Sequence, residues 1–127
     1  RQMCIRDSHY TKVDPKHFEP IVDGMWRGVN VGGTSTAARL EGLDVCGKTG
    51  TAENPRGRDH STFLSFAPKD NPKIAISVYV ENGGFGASAA LPIASLLEEY
   101  YLTDTIRRPA LLEHIKNMNI YYPSYDR

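Results

Sequence analysis

A chain of 127 residues, 40% of them apolar, suits one domain or a piece of a larger one and can bury a modest core. Fifteen basic and fifteen acidic side chains cancel, and no Lys/Arg stripe or interleaved aromatic platform invites nucleic acid. No apolar run reaches the roughly 18 residues that mark a membrane-spanning helix and no secretory leader is visible, so a membrane anchor, if the parent has one, is expected upstream.

The first eight residues, Arg1-Gln2-Met3-Cys4-Ile5-Arg6-Asp7-Ser8, read as a translated sequencing-adapter end and are set aside from fold reasoning. Natural sequence is then expected from His9, with Cys46 as its one cysteine, which leaves no internal disulfide. Four scattered histidines and no Cys-x-x-Cys argue against a structural metal site, and nothing in the chain calls for a cofactor.

Asp14-Pro15-Lys16 is a helix start, with Asp14 as cap and Pro15 in the first turn. Phe18, Ile21, Val22, Met25 and Trp26 then recur at intervals of three and four, which predicts an amphipathic helix ended by Gly32-Gly33. A short helix is expected over Thr34 to Leu40, with Thr34 or Ser35 as cap, and Ser35 and Thr36, which sit in no Gly-x-Ser-x-Gly elbow, read as helix-capping residues rather than nucleophiles. Leu43, Val45, Gly47 and Thr49 alternate with Asp44, Cys46 and Lys48, the period of a strand. Asn54 to Asp59 is a loop. Thr62 to Ala67 is a second strand, stopped by Pro68 and turned by Lys69-Asp70-Asn71-Pro72.

In the third strand Ile74, Ile76, Val78 and Val80 face one way, while Ala75, Ser77 and Tyr79 face the other. The smaller residues of that second face suit a packed helix or a facing active-site element. After the Asn82-to-Gly86 loop a long helix is expected over about Ala87 to Leu102, regular from near Pro92. Its buried stripe reads as Ile93, Leu96, Leu97, Tyr100 and Tyr101, with Glu98 and Glu99 on a solvated face. A tail over 108–127 holds a short amphipathic segment (Leu111, Leu112, Ile115, Met118) and a Tyr-rich extension. The order of strands and helix predicts an α+β unit: three antiparallel strands with a helix laid on them.

Two chemistries compete for Gly47-Lys48-Thr49-Gly50-Thr51. Gly42 to Thr49 matches the phosphate-binding loop G-x-x-x-x-G-K-[ST], which needs a strand before it and a helix beginning at the lysine. Here Gly50 and Pro55 leave no room for that helix, and Leu43 and Val45 alternate through the would-be loop. The rival reading, acyl transfer, needs Lys48 to project from a strand into a cleft, where its ammonium could hold an anionic substrate and support proton transfer. Thr49 and Thr51 offer hydroxyls to a carboxylate, and Gly50 lets a substrate backbone lie along the strand. His60 reads as structural, and Trp26 as packing.

A Lys-Thr-Gly in this setting is the third active-site motif of the penicillin-recognising serine acyl-transferases. With it come Asp23-Gly24-Met25, Ala52-Glu53, His60 to Pro68, Asn71 to Val78 and Val80 to Gly84, in family order and spacing. From about Asp14 to Leu102 the chain resembles the C-terminal part of a class B penicillin-binding protein, most like the cell-elongation branch. The resemblance implies the penicillin-binding-protein/β-lactamase-like transpeptidase fold, a five-stranded antiparallel sheet between helices, of which residues 9–107 supply three strands and the C-terminal helix. It also implies peptidoglycan D,D-transpeptidation: stem peptides and β-lactams as ligands, a glycosyltransferase partner, and an inner-membrane protein facing the periplasm through an upstream anchor. By the same resemblance Lys48 orients substrate, Thr49 and Thr51 bind its carboxylate, and the Thr51 N–H is an oxyanion donor. Ser-x-x-Lys and Ser-x-Asn, the other two motifs of that mechanism, do not occur in the chain. It is therefore expected to be inactive alone and to leave a raw sheet edge and exposed apolar surface. The alternatives are a non-catalytic binding module and a P-loop nucleotide-binding protein.

Overall fold

The computed structural model describes residues 11–120, so the first eight residues and the Tyr-rich end lie outside the described residues. Asp14 caps a 3-10 turn over Pro15–His17, its side chain accepting from the Lys16 N–H at 3.0 Å. The turn runs into α1 (Phe18–Asn30). Strands β1 (Cys46–Ala52), β2 (His60–Ala67) and β3 (Ile74–Val80) form one antiparallel sheet in the order β1-β2-β3. Thr49 sits opposite Phe63, and Phe63 opposite Val78. Helices α2 (Ala90–Thr103) and α3 (Pro109–Lys116) complete the described chain.

One face of the sheet holds the core. Phe63 and Ala67 from β2 meet Ala90, Leu91 and Ala94 of α2, with Val29, Ala38, Leu40 and Val45 closing the side, and Ile76, Val78 and Val80 pack against this cluster. The alternation read in β3 is correct, but the apolar face takes the helix. Ala75, Ser77 and Tyr79 lie exposed on the outer face with Leu64. Among the described residues that outer face is uncovered, and the outer edges of β1 and β3 pair with no further strand.

Three expectations for the helices are corrected. Along α1 only Val29 is buried, while Phe18 and Ile21 stand exposed, because the helix meets β1 through its C-terminal half and overhangs with the other. The helix predicted over Thr34 to Leu40 is a single 3-10 turn, Thr36–Ala38, and Ser35 holds the cap position without a side-chain cap bond. Along α2 Leu96 is buried and Ile93 half-buried as read, but Leu97, Tyr100 and Tyr101 are exposed, and Leu91, Ala94, Ser95 and Glu98, spaced by three and four, fill the inward face. Glu98 and Glu99 are therefore buried, not solvated, at 0% and 4% exposure. Glu99 meets Arg108 at 3.2 Å, and Arg108 also donates to Ser95 Oγ at 2.7 Å and to the Ala37 carbonyl at 3.2 Å. The start of the tail is thereby tied to the core.

A polar cluster sets α1 against the sheet. Trp26 Nε1 donates to Asp44 at 2.8 Å, Lys69 Nζ lies 5.0 Å from the Trp26 ring centre, and Asp23 takes both Arg27 and Lys69. These two cations hold the Asp23 carboxyl below its usual range. Beneath the cluster Cys46 is a buried free thiol, pushed up to about 11 by burial and so inert as a nucleophile at neutral pH.

Candidate active site

Lys48, Thr49, Gly50 and Thr51 occupy the middle and end of β1, the edge strand of the sheet. The strand continues through Lys48 to Ala52, so no helix N-terminus stands at Lys48 and the phosphate-loop reading is excluded. Two carbonyls show which way the strand's polar groups point. Val45 O accepts from Asn30 Nδ2 at 3.0 Å, and Thr49 O accepts from Lys48 Nζ at 2.6 Å, both away from β2. In an antiparallel pair the N–H and C=O of one residue share a direction that alternates along the strand. The N–H and C=O of Thr51 therefore also face the open edge.

The side chains divide between the two faces of β1. Thr49 and Thr51 lie on the core face with their partners Phe63 and Ser61, while Lys48 and Gly50 lie on the outer face with Leu64 and Thr62. A ligand seated along the edge meets the ammonium from one side, the two hydroxyls from the other, and the backbone in between. Lys48 is exposed and already bends round the edge to reach the Thr49 carbonyl.

The glycines of the motif are fixed by packing as much as by access. A Cβ on Gly47 would lie 2.5 Å from Phe63 Cζ and 3.3 Å from Val29 Cγ2, and one on Gly50 would collide with Thr62 Oγ1. Behind the strand, the loop between β3 and α2 presses Gly86 onto it. A Cβ on Gly86 would fall 2.5 Å from Gly50 O and 2.7 Å from Thr62 O, and the Gly86 N–H donates to Thr51 Oγ1 at 3.3 Å. Ser61 secures that loop, its hydroxyl lying 2.9 Å from Phe85 O and accepting from Ala90 N–H at 3.0 Å. Gly86→Ala is expected to destabilise the fold by about 1–3 kcal/mol, since backbone on both sides cannot yield. An unchanged melting temperature of the full-length protein carrying the substitution would refute this.

Sequence reading missed Thr34, taken as a cap. Gly33 packs onto the backbone of Gly28 so closely that a Cβ would lie 2.6 Å from Gly28 Cα, and Ser35 N–H donates to Gly28 O at 3.2 Å. This tight turn brings the Thr34 hydroxyl to 3.0 Å from that of Thr49. His60 is structural, as read: its Nδ1 accepts from the Asn82 N–H at 3.1 Å and its ring lies against Tyr79. Among the described residues no group of His, Cys, Asp and Glu is placed to hold a metal ion.

The family model described as the penicillin binding protein transpeptidase domain matches residues 6–97. The chain belongs to the penicillin-binding-protein transpeptidase family. It is 36% identical over 106 residues to the peptidoglycan D,D-transpeptidase MrdA of Haemophilus influenzae, a match over 70% of this chain and 16% of the relative. The MrdA of Acinetobacter baumannii is 36% identical over 118 residues, 81% of this chain and 16% of the relative. Among solved structures, PBP2 of Pseudomonas aeruginosa, in complex with WCK 5153, superposes with a TM-score of 0.63 at 37% identity, over 72% of this chain and 20% of that one. The imipenem acyl-enzyme of penicillin-binding protein A from M. tuberculosis gives 0.62 at 32% identity, over 72% and 20%. The α+β fold and the likeness to the PBP2 branch of the transpeptidase family follow from these matches, and the chain spans about a fifth or less of the relatives it matches. Among the described residues no helix is long and apolar enough to cross a membrane.

Proposed function

We propose that these residues form the Lys-Thr-Gly wall of a peptidoglycan D,D-transpeptidase of the cell-elongation type. The observation that carries this reading is the edge position of β1, which presents an ammonium, two hydroxyls and an outward N–H along the edge not paired with β2. A stem peptide laid along that edge would pair with it as an added strand. Lys48 would hold its terminal carboxylate region and favour proton transfer, while Thr49 and Thr51 donate to the carboxylate. The Thr51 N–H would stabilise the oxyanion as a serine, supplied by another part of the protein, attacks the D-Ala-D-Ala amide. Cleavage of the C–N bond leaves an acyl-serine, and the departing D-Ala amine takes a proton. An amine of a neighbouring stem then attacks the ester, forming the cross-link and returning the serine its proton. β-Lactams, which form acyl-enzymes with a structural relative, would be held as stable esters in the same way. In this reading the parent would work at the inner membrane on the periplasmic side, beside a glycosyltransferase.

The test is acylation of the full-length protein by a fluorescent penicillin, followed by denaturing electrophoresis and mass measurement of the adduct. A covalent adduct blocked by unlabelled β-lactam is the expected result. A folded full-length protein that gains no adduct would leave the non-catalytic binding module in its place.

A further inference from the structure

We propose that Thr34 is a substrate-positioning residue, acting through Thr49 to set the hydrogen-bond direction at the carboxylate-binding edge of β1. This rests on the reading of Thr49 as a carboxylate ligand. The two hydroxyl oxygens lie 3.0 Å apart, and either can be the donor. A hydroxyl has one proton to give. If Thr49 gives its proton to Thr34, it meets a carboxylate with lone pairs and repels it. If Thr34 donates to Thr49, the Thr49 proton is free for the anion, and the chain Thr34 O–H to Thr49 O–H to carboxylate strengthens along its length. An incoming carboxylate selects the second arrangement, and Thr34 is what makes it available without leaving the Thr49 lone pairs unpaired.

The placement of Thr34 is built into the fold. The Gly28–Gly33 backbone contact admits no side chain, Gly32 has φ of +114°, and the Ser35 N–H locks the turn onto Gly28 O. Without this turn the chain leaving α1 could not bring a hydroxyl to the strand edge. Thr34 is exposed and does not cap the 3-10 turn that follows, so holding that turn does not explain the residue.

The experiment measures acylation of the full-length protein by a β-lactam with a free carboxylate and by its methyl ester, resolving binding from the acylation rate constant. Thr34→Val is expected to weaken apparent binding of the acid about 5-fold, as loss of one supporting hydroxyl hydrogen bond should. It should leave the ester and the melting temperature essentially unchanged, and Thr34→Ser should restore the acid. Thr49→Val should cost more, and the double variant no more than Thr49→Val alone. If Thr49→Val lowers acid binding and Thr34→Val does not, or if Thr34→Val weakens acid and ester alike, the positioning role of Thr34 is overturned while the reading of Thr49 stands. If Thr49→Val itself leaves the acid unaffected, the underlying carboxylate reading fails and this inference with it.

Discussion

Glu98→Gln is expected to stabilise the full-length protein at pH 8 by about 3 kcal/mol and to remove a slope in its stability between roughly pH 4.5 and 7. Glu98 points from α2 into the core at 0% exposure, and neither carboxylate oxygen has a hydrogen-bond partner among the described residues. Burial raises its pKa from 4.5 to about 7, against smaller opposing pulls from the Ser65 hydroxyl and Arg108. Ser65 Oγ lies near enough to favour the charged form yet does not meet the geometry of a hydrogen bond. Arg108 cannot neutralise it, because its guanidinium is held by Glu99, Ser95 and Ala37.

The sign follows from proton counts. Below pH 4.5 both folded and unfolded chains hold the proton and Glu98 costs nothing in linkage. As pH rises towards 7 the unfolded chain has lost the proton while the folded one keeps it, so stability falls, and the loss is complete above the folded pKa. An amide of the same shape cannot ionise and is free of this term. Asp14 and Asp23, whose pKa values are lowered by Lys16 and by Arg27 with Lys69, act in the opposite sense at lower pH and do not mask the window. Denaturant melts of the two proteins from pH 4 to 8 would decide it. Parallel curves would mean that Glu98 has a partner in the folded state and that the burial account is wrong.

That glutamate also shows where sequence reading stops. Strand β3 was legible to its ends, because Ile74, Ile76, Val78 and Val80 alternate without interruption and Pro72 and Gly83 bracket them. The start of the 3-10 turn that leads into α1 was legible because Asp14 and Pro15 act locally. Helix α2 was legible as a helix and illegible in its orientation. It carries apolar residues nearly all round, with Leu91 and Ala94 on one side and Leu97 and Tyr100 on another, so periodicity names no inward face. The smaller side chains Ala90 and Ala94 lie in the core against the sheet, while Ile93, Leu97 and Tyr100 line a groove with Leu112 and Ile115 of α3. Glu98 was misplaced by the same ambiguity.

Lys48 to Thr51 were legible as strand residues, because the alternation read from Leu43 to Thr49 runs into β1. The place of Thr34 was not legible, since its meeting with Thr49 depends on a turn whose direction is set by backbone contact between Gly28 and Gly33. Gly86 was likewise read only as part of a loop, and its reason is a neighbouring strand that no local pattern announces.

Lys48→Ala in the full-length protein is expected to lower the second-order rate of acylation by about 10²–10³-fold, the usual cost of removing one preorganised electrostatic contact from an acyl-transfer site. The loss should fall on the acylation step as well as on binding, because in the proposed role the ammonium would meet both a substrate carboxylate and charge developing at the reacting centre. Its geometry supports a reach to the edge: Nζ is 2.6 Å from the Thr49 carbonyl, which points away from β2, and the side chain is exposed. No carboxylate pairs with it among the described residues, so its full charge is available to an anionic ligand. Removing an exposed side chain from an outer face leaves no cavity, and the Thr49 carbonyl that loses its donor faces the open edge where water can replace it, so the melting temperature should hold within a degree or two, about what a surface substitution costs. Lys48→Arg should keep the charge but recover only part of the rate, because the wider fork cannot occupy the same point beside the edge. Rapid-mixing kinetics with a chromogenic cephalosporin read both constants. A fall of less than about 3-fold for Lys48→Ala would move the electrostatic role away from this strand, since it would be smaller than the effect of a single neutral hydrogen bond.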